Sequence, residues 1–251
     1  MPDDQTYCGV VSVLGAPNAG KSTLVNRMVG AKVSIVSPKV QTTRIRVRGV
    51  SLYANTQIIY VDTPGIFVPK RRLDRAMVDA AWGGAADADA IILLVDAQRG
   101  VDKDTQRIIE GLNKRKSTAS LVLNKVDAVR REDLLGLSEK LNGMADFSAT
   151  FMVSALKGGG VTDLEAKLRT LMPEGPWLFP EDEISDLPQR LLAAEITREK
   201  AYLYLHQELP YALAVGTESW EDFNNGEVRI EQAITVARDS HKRSEERRVG
   251  K

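Results

Sequence analysis

Apolar and polar positions follow two alternating rhythms along this chain. YCGVVSVL, from Tyr7, is a continuous apolar run rich in β-branched residues, and STLVNRMVG, from Ser22, spaces its apolar positions as a helix does. IRVRGVSLYANTQIIYV, from Ile45, reads as two strands joined by a short polar turn at Ala54 to Thr56. A helix is expected over 70–86, then a buried strand AIILLVDA, then the helix VDKDTQRIIEGLNKR, whose Asp102 and Asp104 suit the positive end of a helix. SLVLNKVD repeats the strand-and-loop pattern, REDLLGLSEKLNGM is helical, TFMVSA is a strand and VTDLEAKLRTLM a helix. Apolar strands separated by helices predict an α/β fold, doubly wound, with a mostly parallel sheet covered on both faces.

The rhythm breaks at PEGPWLFPEDEISDLP, which carries four prolines and five acids. Proline fixes φ and removes a backbone donor, so an extended linker is expected over 173–187. Beyond it, QRLLAAEITREKAYLYLHQ is an amphipathic helix, and YALAVGTESW and EVRIEQAITVARD read as two strands. This divides the chain into a domain at 1–172, the linker, a small α+β piece at 188–242, and a tail at 243–251 (RSEERRVGK) that reads as non-native, a natural charged tail being the alternative.

Composition narrows the class without naming a function. The 251 residues are 43% hydrophobic and 27% charged, as in a globular protein, with 34 basic and 34 acidic side chains. Zero net charge argues against a strongly basic nucleic-acid binder, although Lys32, Lys39, Arg44, Arg46 and Arg48 form a local basic stretch without an acid. No apolar run spans a bilayer, no export signal is evident, and the single cysteine, Cys8, suits a reducing cytoplasm as a small buried hydrophobe. His206 and His241 have no spacing that links them to a metal. Trp177, Phe179 and Trp220 are expected to pack the interdomain seam and the small-domain core.

GAPNAGKST, residues 15 to 23, follows the first strand and opens the first helix, and fits G-x-x-x-x-G-K-[ST] throughout. Gly15 and Gly20 allow the tight turn; the backbone of Ala16, Pro17, Asn18 and Ala19 wraps phosphate oxygens that a helix N-terminus attracts. Lys21 would reach the β- and γ-phosphates and the hydroxyl of Ser22, followed by Thr23, would occupy a Mg²⁺ position. DTPG after the strand IIYV supplies Asp62 for Mg²⁺ and Gly65 for the γ-phosphate, with Thr63 and Pro64 between them. NKVD supplies Asn124, Lys125, Val126 and Asp127. A carboxylate accepts from the ring N–H and exocyclic amine of guanine, a pair that adenine does not offer. Ser154, Ala155 and Leu156 add a backbone N–H near the guanine oxygen.

With SPKVQTTR and the linker MPEGPWLFPED, these motifs resemble the translation-factor-related P-loop GTPases, in particular their bacterial ribosome-assembly members, from about residue 6 to about 242. The resemblance implies a GTPase domain followed by a type II KH domain, here incomplete and lacking the GxxG loop. It implies small-subunit (16S) ribosomal RNA and the 30S subunit as partners, and a cytoplasmic location with peripheral association at the inner membrane. It places the first switch in VSIVSPKVQTTR, with Thr43, or its neighbour Thr42, as a Mg²⁺ ligand. Ile66 stands where many GTPases carry a water-orienting glutamine, so slow intrinsic hydrolysis is expected. Relatives with that substitution hold K⁺ through an asparagine in the phosphate loop, which maps to Asn18. The catalytic set implied is thus Lys21, Asn18, Thr43 and Gly65. Two alternatives remain: a non-catalytic guanine-nucleotide-binding module, and a relative acting in tRNA modification or large-subunit assembly.

Overall fold

The structure is a computed structural model and describes residues 5–39, 42–69, 72–205 and 213–236. The chain forms two units, one of residues 1–34 and 40–186 and the other of residues 35–39 and 187–251.

The first unit is built on β1 (Tyr7–Gly15), α1 (Lys21–Val29), β2 (Val47–Tyr53), β3 (Thr56–Asp62), α2 (Arg72–Ala86) and β4 (Ala90–Asp96). These are followed by α3 (Lys103–Arg115), β5 (Ala119–Asn124), α4 (Arg131–Asn142), β6 (Phe147–Val153) and α5 (Val161–Arg169). The strands lie in the order β2-β3-β1-β4-β5-β6, all parallel except for the antiparallel hairpin pair β2 and β3. β3 and β4 are buried at every position, which is why they read as unbroken apolar runs rather than alternating ones.

Alternate side chains of the strands fill opposite faces. Val11, Val13, Ile58, Ile92 and Val122 pack with α1 and α5 on one face, through Leu24, Val25 and Leu164. Leu14, Leu93, Val95, Leu121 and Leu123 pack with α2 and α3 on the other, through Ala81, Ile108 and Leu112. α3 starts as its acids suggest: the Asp102 carboxylate accepts from the N–H of Thr105 at 2.7 Å.

The proline-rich strip is not free of this unit. Tyr7 bridges to Glu174 and Gly49 to Ser185, and Trp177 and Phe179 cover Cys8, Val50 and Ile59. Gln57, fully buried, binds the strip through its amide: Oε1 accepts from the N–H groups of Leu178 and Phe179 at 2.9 and 3.0 Å. These two aromatics therefore seal one corner of the sheet. A polar strip can lie against β1 and β3 because a buried glutamine satisfies its backbone donors.

The second unit contains α6 (Gln189–Tyr204), β7 (Leu213–Asp222) and β8 (Val228–Val236), the strands forming an antiparallel hairpin. Thr197 donates to Gln232 at 2.5 Å and Thr217 to the carbonyl of Arg190 at 2.7 Å, tying helix to hairpin. Trp220, on β7, is half-buried and donates through its indole N–H to Asp222 at 3.1 Å. Residues 35–39 belong here too: the Val36 N–H donates to the buried Glu199 carboxylate at 2.8 Å. The expectations for the tail at 243–251, for His206 and for His241 fall outside the described residues.

Candidate functional site: a phosphate loop and an adjoining cavity

The site forms where β1, β3, β5 and β6 end, because in a parallel sheet the following loops all emerge at the carboxyl ends of the strands. The loop after β1 turns through two left-handed residues, Asn18 at φ 64° and Gly20 at φ 99°. A Cβ on Gly20 would lie 2.3 Å from Asn124 Nδ2, and one on Gly65 would lie 2.9 Å from the backbone of Pro17. Both glycines permit loops from different strands to touch.

Lys21 opens α1 and is buried, its ammonium donating to the carbonyls of Gly15 and Ala16 at 3.2 and 3.0 Å. Burial lowers its pKa to about 8, against the opposing pull of Asp62. Beside it, hydroxyls converge on the fully buried Asp62. Ser22 lies 2.7 Å, Ser34 2.5 Å and Thr43 3.3 Å from its Oδ2, and the Ser22 and Thr43 hydroxyls are 3.0 Å apart. Burial raises the Asp62 pKa while these hydrogen bonds and Lys21 oppose it. Its second oxygen, Oδ1, is buried without a hydrogen-bond partner. A buried carboxylate with an unsatisfied oxygen, ringed by neutral hydroxyls, fits a hard divalent cation such as Mg²⁺. Ser34 was not anticipated from sequence. It is placed by Asn26, whose Oδ1 accepts from the N–H groups of Val33 and Ser34 at 3.0 and 2.9 Å.

Two predicted residues turn away from this centre. Thr63 is fully buried and donates to the carbonyl of Val13 at 2.7 Å, so its side chain stitches β3 to β1. Ile66 is also fully buried, packed with Leu14, Ala81 and Ala85, while its N–H donates to the carbonyl of Gly15 at 3.1 Å. Position 66 thus addresses the core, so Ile66→Gln is expected to cost about 2–4 kcal/mol of stability by burying an unpaired amide. Urea unfolding would read that loss.

Next to the phosphate loop, Gly20, Thr23, Gln98, Asn124, Lys125, Asp127, Ala128, Ala155 and Leu156 enclose a cavity of about 280 Å³. Asn124 joins three loops: Nδ2 donates to the carbonyl of Ala19 at 2.8 Å and Oδ1 accepts from the N–H of Ala155 at 3.0 Å. Lys125, left-handed at φ 64°, pairs with the buried Asp96 at 2.6 Å, which holds its stem beside the cavity. Asp127 is paired with Lys157 at 3.3 Å, and hydrogen bonding from Ser154, followed by Lys157, holds its carboxyl below the usual carboxylate range. Val126 packs against the core of α3 and β5 and does not line the cavity. Asp96, Lys157 and Ser34 escaped sequence reading because their partners lie in other loops. The one local signal was that Asp96 ends a strand, as the asparagine of NKVD does.

The fold and these loops define the class of P-loop GTPases. A model of the "50S ribosome-binding GTPase" family matches residues 10–125. The chain belongs to the Era family of GTPases: it is 60% identical to GTPase Era of Rhizobium meliloti (strain 1021) over 95% of its own length and 76% of the relative's. It is 61% identical to GTPase Era of Sinorhizobium medicae, over 95% and 77%. Its fold superposes on Era in complex with MgGDPNP and nucleotides 1506–1542 of 16S ribosomal RNA, with a TM-score of 0.88 and 38% identity, covering 94% of this chain and 80% of that one. A point variant of Aquifex aeolicus Era bound to GDP·AlF₄⁻ superposes equally, with a TM-score of 0.88 and 37% identity over 94% and 81%.

Proposed function

We propose that this chain binds GTP with Mg²⁺, hydrolyses it, and acts as a nucleotide-dependent switch in maturation of the small ribosomal subunit. The observation that carries the reading is the convergence of Ser22, Thr43 and Asp62 beside the buried Lys21. Mg²⁺, held there by Ser22, Thr43 and Asp62, supplies charge neutralisation for the phosphates. Lys21 adds a cation fixed in a dry setting, where it stabilises developing phosphoryl charge without reorganising. Gly65 lies against Pro17 of the phosphate loop, where its N–H would meet the γ-phosphate. Asp127 and the 154–156 loop select guanine.

Multiple turnover of GTP, lost in EDTA and restored by Mg²⁺, is the expected result. Binding of one nucleotide per chain without phosphate release would instead support the non-catalytic alternative.

A core position at residue 66 supplies no side chain to orient water, which supports slow turnover and a role for K⁺ near Asn18. The left-handed backbone of Asn18 sits within the phosphate loop. Faster hydrolysis in KCl than in NaCl of equal ionic strength is expected, and equal rates would sink the assignment.

For the RNA, the order of α6 and the β7–β8 hairpin supports reading this piece as the start of a KH-type domain. The structural relative that carries 16S ribosomal RNA supports the same partner here. A labelled oligonucleotide of the 16S 3′ end, titrated with GTP-loaded and GDP-loaded protein, tests both binding and switching. A cytoplasmic location and peripheral contact with the inner membrane are supported by family resemblance, and no helix among the described residues is long and apolar enough to cross a membrane.

A further inference from the structure

Arg27 lies in the last turn of α1, seven positions after Gly20, and its side chain leaves the helix toward the loop that follows β6. Its Nε donates to the carbonyl of Ala155 at 3.2 Å and its Nη2 to the carbonyl of Leu156. The planar guanidinium thus spans two consecutive carbonyls, which a lysine ammonium cannot do in one fixed geometry. The same loop is shaped from within: the Gly158 N–H donates to the carbonyl of Ser154 at 2.7 Å, and the Lys157 N–H to the Ser154 hydroxyl at 3.1 Å. Gly158 is left-handed at φ 90°, and a Cβ there would stand 3.7 Å from Arg27 Nη1, so the turn lies directly against the guanidinium.

The residue at 155 is therefore gripped from both sides. Asn124 takes its N–H and Arg27 takes its carbonyl. Ala155 and Leu156 line the purine cavity, whereas Arg27 stands behind them and does not. α1 begins with Lys21 and Ser22 at the phosphate end, so one rigid helix carries both the phosphate groups and the brace of the base loop.

We propose that Arg27 is a positioning residue for guanine: it holds the 154–157 loop at the depth where the loop reads the purine's O6, the adjoining N1–H and exocyclic amine falling to Asp127. This rests on the guanine-nucleotide reading above. Arg27 acts through the O6 contact only, which separates it from a residue that merely supports the fold.

The test is a series of competition titrations against mant-GDP, on wild type, Arg27→Ala and Arg27→Lys. The competitors are GDP, IDP (which lacks the exocyclic amine) and 2-aminopurine riboside diphosphate (which lacks O6 and the N1 proton), each compared only with itself across the variants. Arg27→Ala is expected to weaken GDP and IDP by roughly tenfold, the scale of two charge-assisted hydrogen bonds lost from a loop that can still partly close. It should leave the O6-lacking analogue within about twofold of wild type, with Arg27→Lys intermediate for GDP. An equal penalty on all three competitors, or none on GDP, overturns the proposal. If Arg27→Ala does not fold, Arg27→Lys carries the same comparison with a smaller factor. Wild-type protein that fails to bind mant-GDP would instead sink the guanine-nucleotide reading on which the proposal stands.

Discussion

Asp127→Asn is expected to exchange the base preference of the site from guanine to xanthine. The carboxylate offers two acceptors to two donors on guanine, whereas an amide offers one acceptor and one donor, which leaves one donor facing another. A site built to read a hydrogen-bonding edge discriminates strongly when one partner is wrong, so GTP affinity should fall by roughly a hundredfold or more while XTP gains. The geometry adds a second consequence. Ser154 and Lys157 hold the Asp127 carboxyl in its charged form, and Lys157 is attracted to a carboxylate more strongly than to an amide. Removal of the charge loosens Lys157 as well, so the loss for GTP should exceed that of Lys157→Ala. Fluorescence competition with GTP, XTP and ATP measures the exchange, and unchanged preference would show that Asp127 does not meet the base.

Gly20→Ala should be the most damaging single methyl in the phosphate loop. The residue has φ 99°, a conformation that costs an L-residue about 1–2 kcal/mol. Its new Cβ would also stand 2.3 Å from Asn124 Nδ2, closer than nonbonded atoms approach. Asn124 cannot retreat cheaply, because it bonds the carbonyl of Ala19 and the N–H of Ala155. The strain is therefore shared between phosphate loop and base loop, and nucleotide affinity should drop by roughly two orders of magnitude. Gly136→Ala is the matched control. It lies mid-helix in α4, where a Cβ meets nothing within 4 Å, and should stabilise the protein by about 0.5–1 kcal/mol with affinity unchanged. Thermal melts and mant-GTP titration of the two variants separate strain at the site from a general effect of alanine.

Both predictions depend on loops from different strands meeting, and that is where sequence and structure contribute differently. The order of strands and helices was legible because each signal is local: a run of apolar residues buried on both faces, a helical period, a proline-rich break. The motif residues were legible for the same reason, since the spacing of Gly15, Gly20, Lys21 and Ser22 constrains one turn and one helix start. Asp62, Asn124 and Asp127 were readable as successors to apolar strands, because a parallel sheet delivers such loops to a common edge.

What the sequence by itself determined, then, is the fold class, the kind of ligand and the residues of each motif. Tertiary structure alone decided which motifs share partners and which way ambiguous side chains face. Ile66 and Thr63 lie beside motif residues yet turn into the sheet, since the inward pitch of the loop after β3 depends on its hydrogen bond to Gly15 and on space beneath α2. Ser34 reaches Asp62, Lys125 reaches Asp96, and Arg27 reaches Ala155 and Leu156 across separations in sequence of 28, 29 and 128 or 129 residues. No periodicity encodes such meetings. They follow from the strand order β2-β3-β1-β4-β5-β6, which is settled by burial of both sheet faces at once and not by any one segment.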